Sequence, residues 1–331
     1  MTRGDCLQRA LEAADAVFRA RGLHERVRSQ HPLGPLTTYR VGGAAARFLV
    51  ASSLDDLLAV AEAAKASGLP VLVIGRGSNL LVADRGVCGI VVQLGNELAH
   101  IDINAGDNDD RSNVRIVRAG GAASLPVVAR RTASAGCTGF EWAVGVPGSI
   151  GGAVRMNAGG HGSDMAAVVT EATIVDVRDG RVERRTADAL RFGYRTSSVR
   201  DTDVVIDATL RLAPGDPDTS LRTIDDIVRW RRENQPGGQN AGSVFTNPPG
   251  DSAGRLIDTA GCKGMRVGSA HVSTKHANFI QVDDGGSADD VHALMRLVHE
   301  RVLEVHGVDL VPETRMVGFT DERWAETENR R

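Results

Sequence analysis

No run of apolar residues in this sequence is long enough to cross a bilayer as a helix, which argues against a membrane protein. The stretch from Met1 to Val27 also lacks the unbroken apolar core of a signal peptide, because acids and bases interrupt it throughout. The four cysteines, Cys6, Cys88, Cys137 and Cys262, form no CxxC pair and fall short of the density of a secreted disulfide scaffold. Free thiols in a reducing compartment are expected. Charge of one sign is nowhere concentrated: 39 basic and 42 acidic residues are spread along the chain, which argues against a nucleic-acid surface or a polybasic membrane patch. An anionic ligand must therefore be gripped locally. Internal repeats and low-complexity blocks are missing too. These absences together point to a soluble cytoplasmic protein without nucleic-acid or membrane partners.

What is present is length and punctuated periodicity. At 331 residues the chain exceeds the usual size of one hydrophobic core, so two or three packed units are expected. Leu7, Leu11, Ala14 and Phe18 recur at helical spacing and predict an amphipathic helix. His31 to Pro35 reads as a turn, followed by an extended Thr37 to Val41, the tight turn Gly42-Gly43 and a strand through Phe48-Leu49-Val50. Ser53 and Asp56 open a helix that runs to Gly68, and Val71 to Ile74 then forms a buried strand leading into Gly75-Arg76-Gly77-Ser78-Asn79. Further strands are expected at Val114–Val117, Thr173–Val177 and Val204–Leu212, with Asp179-Gly180 as a hairpin turn and Ser124–Ala135 as a helix. Pro214-Gly215-Asp216-Pro217 reads as a domain boundary, after which Ile224, Ile227, Val228 and Trp230 mark a helix in a distinct C-terminal unit. Ser287 caps a helix with the apolar face Val291, Leu294, Val298, Val302 and Val305, ending at Gly307. The charged stretch Thr320–Arg331 reads as disordered.

Two glycine-rich segments carry the candidate chemistry. In Gly75–Asn79 the glycines let backbone amides approach an anion, and Ser78 and Asn79 add side-chain donors of the kind a pyrophosphate needs. A Rossmann loop is excluded, because no third glycine opens a long helix there; taken alone, an ordinary glycine turn between strands is equally consistent. Gly145-Val146-Pro147-Gly148-Ser149-Ile150-Gly151-Gly152, followed by Met156-Asn157-Ala158-Gly159-Gly160, is denser in glycine than a turn requires and points to backbone approach to a bulky ligand.

Thr37-Thr38-Tyr39-Arg40-Val41-Gly42-Gly43, Gly75–Asn79 and Gly145–Gly152 occur in the same order and at similar spacing in the MurB-type UDP-N-acetylenolpyruvoylglucosamine reductases, which the chain resembles over nearly its whole length. The resemblance implies an α+β protein: a two-part FAD-binding unit of the vanillyl-alcohol-oxidase (PCMH) type plus a C-terminal α+β substrate-binding domain. The implied segments are 1–99 (N-terminal helix and first FAD subdomain), 100–213 (second FAD subdomain), 214–319 (substrate domain) and a 320–331 tail. FAD would be held by Tyr39, Arg40, Gly75, Gly77, Ser78, Asn79, Gly145, Pro147, Gly148, Ser149, Gly152, Asn157, Gly159 and Arg315. Relatives that tether flavin commonly use histidine or cysteine; neither occurs in the two glycine loops, so non-covalent FAD is expected, with NADPH as co-substrate.

The same resemblance assigns three catalytic residues. Phe192-Gly193-Tyr194-Arg195-Thr196-Ser197 matches the family's tyrosine-arginine-x-serine segment, and the planar fork of Arg195 suits a carboxylate. Ala241-Gly242-Ser243-Val244-Phe245-Thr246-Asn247-Pro248 matches the segment that carries the proton-donating serine, Ser243. A nucleophilic-elbow reading of Ser243 fails, since no glycine stands two residues after it. Val311-Pro312-Glu313-Thr314-Arg315 places Glu313 at the family's catalytic glutamate. Outside the resemblance these would read as a solvated loop arginine, a turn serine and a surface acid.

Tyr194, Asn234, Asn247 and His276 are the implied substrate-binding residues, His276 through Val272-Ser273-Thr274-Lys275-His276-Ala277-Asn278-Phe279-Ile280. The implied reaction is NADPH-driven reduction of UDP-N-acetylglucosamine enolpyruvate to UDP-N-acetylmuramate, a peptidoglycan precursor, by a monomer. The compact passage from Thr246 to Gly264 resembles the family's shorter, type II form. Two positions depart from the family pattern: Asn234 and Thr246 stand where lysine is common, so the diphosphate grip falls to other groups, with Arg231, Arg232, Lys263 and Arg155 as candidates. Those departures keep open a related FAD oxidoreductase with another substrate; a non-catalytic flavin- or nucleotide-sugar-binding paralogue is the other alternative. No metal is expected. His292, His299 and His306 lie seven residues apart on one helix, roughly 10 Å between neighbours at 1.5 Å rise per residue, too far to share an ion.

Overall fold

The computed structural model describes residues 3–103 and 114–319. The expected disorder of 320–331 lies outside the described residues. The chain divides into two compact units, each assembled from separated stretches. One takes the segments up to His31, Ala46–Arg76 and Cys88–Trp230; the other takes Pro32–Ala45, Gly77–Val87 and the chain from Arg231 on.

In the first unit, the helix Arg3–Ala20 contributes Leu11, Ala14 and Phe18 to a core shared with Leu57, Val60 and Ala64 of the helix Leu54–Ser67. The second helix has clear stop signals at both ends. Ser53 Oγ accepts the Asp56 N–H, and Gly68 closes it in the left-handed conformation at φ 69°. A four-stranded sheet completes this layer, with strands in the order Arg28–Pro32, Ala44–Ala51, Val87–Leu94 and Val71–Ile74, the last two parallel. Its fully buried Ile90 and Val92 supply the sheet side of the same core.

A second sheet runs Val182–Thr186, Val169–Asp176, Asp203–Pro214, Arg115–Gly120 and Ile101–Ile103, antiparallel at every pairing. The turn at Gly180, φ 75°, joins its first two strands, as the Asp179-Gly180 pair predicts. Helices Leu125–Ser134 and Ile150–Met156 add Leu125, Val128, Ile150 and Val154 to the core over Val117, Ile174 and Leu210. The helix Pro217–Asn234 adds Ile224 and Ile227 to this same core. The division between units therefore does not fall at the 213/214 boundary expected from the Pro214–Pro217 turn: that turn redirects the chain without leaving the core.

In the second unit, a three-stranded antiparallel sheet, Arg266–Val267, Ala270–Val272 and Ile280–Val282, shares its core with the helix Ala288–His306 through Val291, Leu294, Val298 and Val302. The caps of this helix agree with the sequence reading: Ser287 Oγ accepts the Asp290 N–H and Gly307 ends it at φ 65°. Asp84 also accepts the Ala288 and Asp289 amides, at 3.0 and 3.2 Å. Leu80–Val82 pairs in parallel with Arg315–Val317.

The expected extended run Thr37–Val41 is not a strand. After the 3-10 turn Gly34–Leu36, the Thr37 hydroxyl donates to the Gly34 carbonyl and accepts the Arg40 N–H, and Arg40 takes φ 57°. A threonine that satisfies local backbone groups through its side chain competes with ladder formation, and here it wins. The strand Arg28–Pro32 takes in part of what reads as a turn in the sequence. Among the described residues, no helix is long and apolar enough to cross a membrane.

Candidate active site

In the first unit the two glycine segments meet: a Cβ added at Gly75 would lie 2.6 Å from Ser149 Oγ, so a side chain there would displace the Ser149 hydroxyl. Several amides of the dense cluster are used within the protein. Gly148 N–H donates to the Val146 carbonyl at 2.9 Å, Gly151 N–H to the Gly121 carbonyl at 2.9 Å, and Gly152 N–H to Ser149 Oγ at 3.4 Å. Gly145 packs against the His161 ring, which leaves only 3.3 Å for an added Cβ. His161 in turn meets Trp230 edge to face at 5.1 Å between ring centroids. Part of the glycine density is thus explained by packing and not by a ligand.

Asn157 organises the neighbouring loop. It closes its helix at φ 41° and is almost fully buried; its Nδ2 donates to Asp164 Oδ2 at 3.1 Å and to the Gly193 carbonyl at 2.8 Å, while Oδ1 accepts the Ala166 N–H at 2.9 Å. Its side chain, expected to touch the cofactor, is committed to the turn that carries Tyr194 and Arg195. Arg195 sits at φ 56° with Nη2 donating to the Gly159 carbonyl at 2.9 Å and its guanidinium 5.3 Å from the Tyr194 ring, which is 61% exposed. Ser197 Oγ donates to the Arg155 carbonyl at 2.7 Å, and the Arg155 guanidinium pairs with Asp201. The first unit thus gathers Asn157, Gly159, Tyr194 and Arg195, and separately brings Gly75 to Ser149.

In the second unit, Ser243, Asn247 and His276 line one pocket of about 460 Å³, together with Arg255, Lys263, Lys275 and Asn278. Of the candidate diphosphate cations only Lys263 is on its wall; neither Arg231 nor Arg232 lines it. Lys275, not singled out from the sequence, joins Lys263 there, with Nζ donating to the Arg232 carbonyl at 2.6 Å. A lysine beside His276 in an otherwise apolar and polar run is the signal that was available. Lys263 Nζ lies 2.8 Å from Asp258. Burial, with a smaller contribution from the charge of Lys263, outweighs an opposing backbone hydrogen bond and holds His276 below the ordinary imidazole pKa, which favours its neutral form.

The backbone around Ser243 is clamped from both sides. Asn278, 3% exposed, accepts the Phe245 N–H at 3.0 Å and donates to the Phe245 carbonyl at 2.8 Å, and its own carbonyl accepts the Val244 N–H at 2.9 Å. Opposite, Glu313 N–H donates to the Val244 carbonyl at 2.8 Å and Thr246 N–H to the Val311 carbonyl at 2.9 Å. Asn247 Oδ1 accepts the Ala253 N–H at 3.0 Å.

Gly77 is forced by close approach, since a Cβ there would lie 2.1 Å from the Leu36 carbonyl, and it adopts φ 60°. Next to it, Tyr39 is fully buried in the core of the second unit; burial raises its hydroxyl pKa. Arg40 is exposed. The Thr38, Tyr39 and Thr314 hydroxyl oxygens are buried with no protein hydrogen-bond partner. Orphaned donors of this kind beside a glycine loop fit a polar cofactor that would satisfy them. Among the described residues, no group of three histidine, cysteine, aspartate or glutamate side chains is arranged to hold a metal.

Residues 234–317 match the family described as UDP-N-acetylenolpyruvoylglucosamine reductase, C-terminal domain, and residues 45–186 match an FAD binding domain. A curated UDP-N-acetylenolpyruvoylglucosamine reductase of Rubrobacter xylanophilus is 43% identical over 289 residues, covering 87% of this chain and 94% of its own. One of Gluconobacter oxydans is 41% identical over 307 residues, covering 92% and 96%. The crystal structure of the MurB reductase from Thermus caldophilus is similar at 34% identity and a TM-score of 0.75, over 88% of this chain and 99% of that one.

Proposed function

The chain belongs to the UDP-N-acetylenolpyruvoylglucosamine reductase family, and we propose that it reduces UDP-N-acetylglucosamine enolpyruvate to UDP-N-acetylmuramate with NADPH, through non-covalent FAD, as a cytoplasmic monomer. The observation that carries this reading is the pocket that joins Ser243 to Lys263, Lys275 and His276. A hydroxyl donor and cations on one wall suit a substrate whose reacting alkene is attached to a nucleotide diphosphate.

Bound FAD would supply hydride transfer from NADPH to the terminal vinyl carbon. The protein's own part is to manage the charge this leaves on the neighbouring carbon. Arg195, oriented through Nη2 by the Gly159 carbonyl, holds the substrate carboxylate, and a protonated Glu313 adds a hydrogen bond. Ser243 delivers the proton that completes the lactyl ether; a hydroxyl is a weak acid and serves only against so basic a carbon. Lys263 and Lys275 take the diphosphate in place of the lysines missing at Asn234 and Thr246. Tyr194, Asn234 and Asn247 hold the rest of the substrate, with His276 acting as a neutral hydrogen-bonding group. The cofactor is held by Gly75–Ser78, Gly145–Gly152, Gly159, Arg40 and Arg315. Asn79 and Asn157 serve it only through their backbone, since both side-chain amides hold protein groups, while Tyr39 offers it a buried hydroxyl.

The test is direct. The purified protein should show a bound-flavin spectrum and consume NADPH only when UDP-N-acetylglucosamine enolpyruvate is added; absence of substrate-dependent turnover overturns the reading. The departures at Asn234 and Thr246 favour one other reading, a related oxidoreductase with a different unsaturated substrate, and the same assay decides between them. Lys275→Ala should raise KM for the sugar nucleotide by roughly 10- to 100-fold with little change in kcat, the loss of one charge-assisted hydrogen bond of about 1.5–3 kcal/mol. An unchanged KM would remove Lys275 from the diphosphate site.

A further inference from the structure

The hydrogen bonds around Glu313 give Asn79 a task that its place in a glycine loop does not foretell. Asn79 Nδ2 donates to the Glu313 carbonyl at 2.9 Å across 234 positions of sequence. Its own carbonyl accepts the Arg315 N–H at 3.0 Å, so one residue clasps the chain on either side of Thr314. This clasp sits where the parallel ladder of Leu80–Val82 with Arg315–Val317 begins, which fixes the direction from which the amide arrives. The other backbone group of Glu313, its N–H, donates to the Val244 carbonyl, one residue from Ser243. Both polar backbone groups of Glu313 are therefore held, one by Asn79 and one by the serine segment. Phe245, bridged to Pro312, is in turn held on its far side by Asn278.

We propose that Asn79 is a positioning residue for Glu313: its side-chain amide sets the backbone that carries this acid relative to the Ser243 segment. The inference rests on the reading that Glu313 acts on the enolpyruvyl substrate. Glu313 lies just outside the ladder, on a short connection with no strand of its own. Without the amide its carbonyl loses that hydrogen bond and the backbone that carries the acid can shift, and a displacement of about 1 Å in a reacting group is enough to cost about 100-fold in rate.

The two half-reactions of the FAD-loaded protein separate this role from the alternative, that Asn79 is a cofactor ligand. Asn79→Ala should keep FAD through gel filtration, while reoxidation of the reduced protein by UDP-N-acetylglucosamine enolpyruvate slows about 10- to 100-fold. In a Glu313→Ala background the same change should cost less than about 2-fold, because the group it positions is already gone. Asn79→Asp, which keeps the size and removes the donor, should behave like the alanine variant and serves where alanine does not fold. Loss of FAD in proportion to the loss of rate, or full additivity with Glu313→Ala, overturns the proposal. If Glu313→Ala alone leaves reoxidation unchanged, the role of Glu313 fails and this inference falls with it, an outcome visible before Asn79 is touched.

Discussion

In the Ser243→Ala protein, NADPH should still bleach the bound flavin at close to the parent rate, while reoxidation by the enolpyruvyl substrate falls about 10²- to 10⁴-fold, the usual range for a lost general acid. The substitution removes one oxygen from a partly exposed residue on the wall of a pocket. It leaves the backbone grip untouched: Val244 still donates to the Asn278 carbonyl and still accepts from Glu313. Fold and substrate affinity should accordingly stay near those of the parent, so the loss would fall in kcat and not in KM. Rapid-mixing absorbance at the flavin band resolves the two halves separately. If both persist unchanged, Ser243 is not the donor.

The largest effect on stability is expected from Asp203→Ala, about 3–5 kcal/mol, or roughly 10 °C in Tm. Asp203 is buried and its carboxylate receives Arg185 Nη1 at 2.9 Å and Arg200 Nη2 at 2.7 Å. Arg200 also reaches the buried Asp176 at 2.9 Å, a carboxylate whose two oxygens Arg178 binds as well. Removing Asp203 leaves Arg200 with Asp176 alone and Arg185 with only the half-buried Glu183. The pH dependence follows from the same contacts. Burial alone would raise the Asp203 pKa, but the hydrogen bonds from Arg200 and the charge of Arg185 outweigh it, and the net position is below the ordinary 3.8; Asp176 is lowered in the same way. A carboxylate depressed in the folded state gives stability that is complete above its unfolded pKa and is lost as pH falls through its folded one. The gap between parent and variant should therefore be full at pH 7 and narrow below about pH 4. Arg229→Ala, in a pair with Asp226 that is exposed on both sides, should leave Tm close to the parent and serves as the control. An Asp203→Ala protein as stable as the parent would show that the network contributes nothing net.

Local order was legible where it depends on neighbours in sequence. Ser53 and Gly68, like Ser287 and Gly307, end their helices with the geometry their residue types favour, and the Gly180 turn closes a hairpin as expected, although its second strand, Val182–Thr186, did not stand out in the sequence. The Thr37–Val41 run misleads because β-branched residues favour strands only where no side-chain bond offers the backbone another partner. Contributions from far along the chain were not legible at all. No local pattern says that Leu80–Val82 will pair with Arg315–Val317, or that the Pro217–Asn234 helix returns Ile224 and Ile227 to the preceding core.

The candidate site shows the same limit. Family resemblance named Ser243, Asn247 and His276, which the fold brings to one pocket, yet Lys275 emerges only once that pocket has walls. Asparagine is the least transparent residue type here. Asn79, Asn157 and Asn278 all read as ligand-binding or substrate-side residues, and all three have amides that hold protein backbone. An amide matches a peptide group and a ligand equally well, so type and position alone do not separate the two uses.

The parallel pairing of Leu80–Val82 with Arg315–Val317 also sets a timetable for the protein's birth. On the ribosome, the stretch that supplies Asn79 and Asp84 waits for partners 234 and 204 residues later, roughly 10–50 s at about 5–20 residues per second. Its apolar Leu80, Leu81 and Val82 stay without their native strand throughout that interval. Slow translation thus lengthens the time for which an unpaired edge is open to other nascent chains, and holdase chaperones would have their clearest target here.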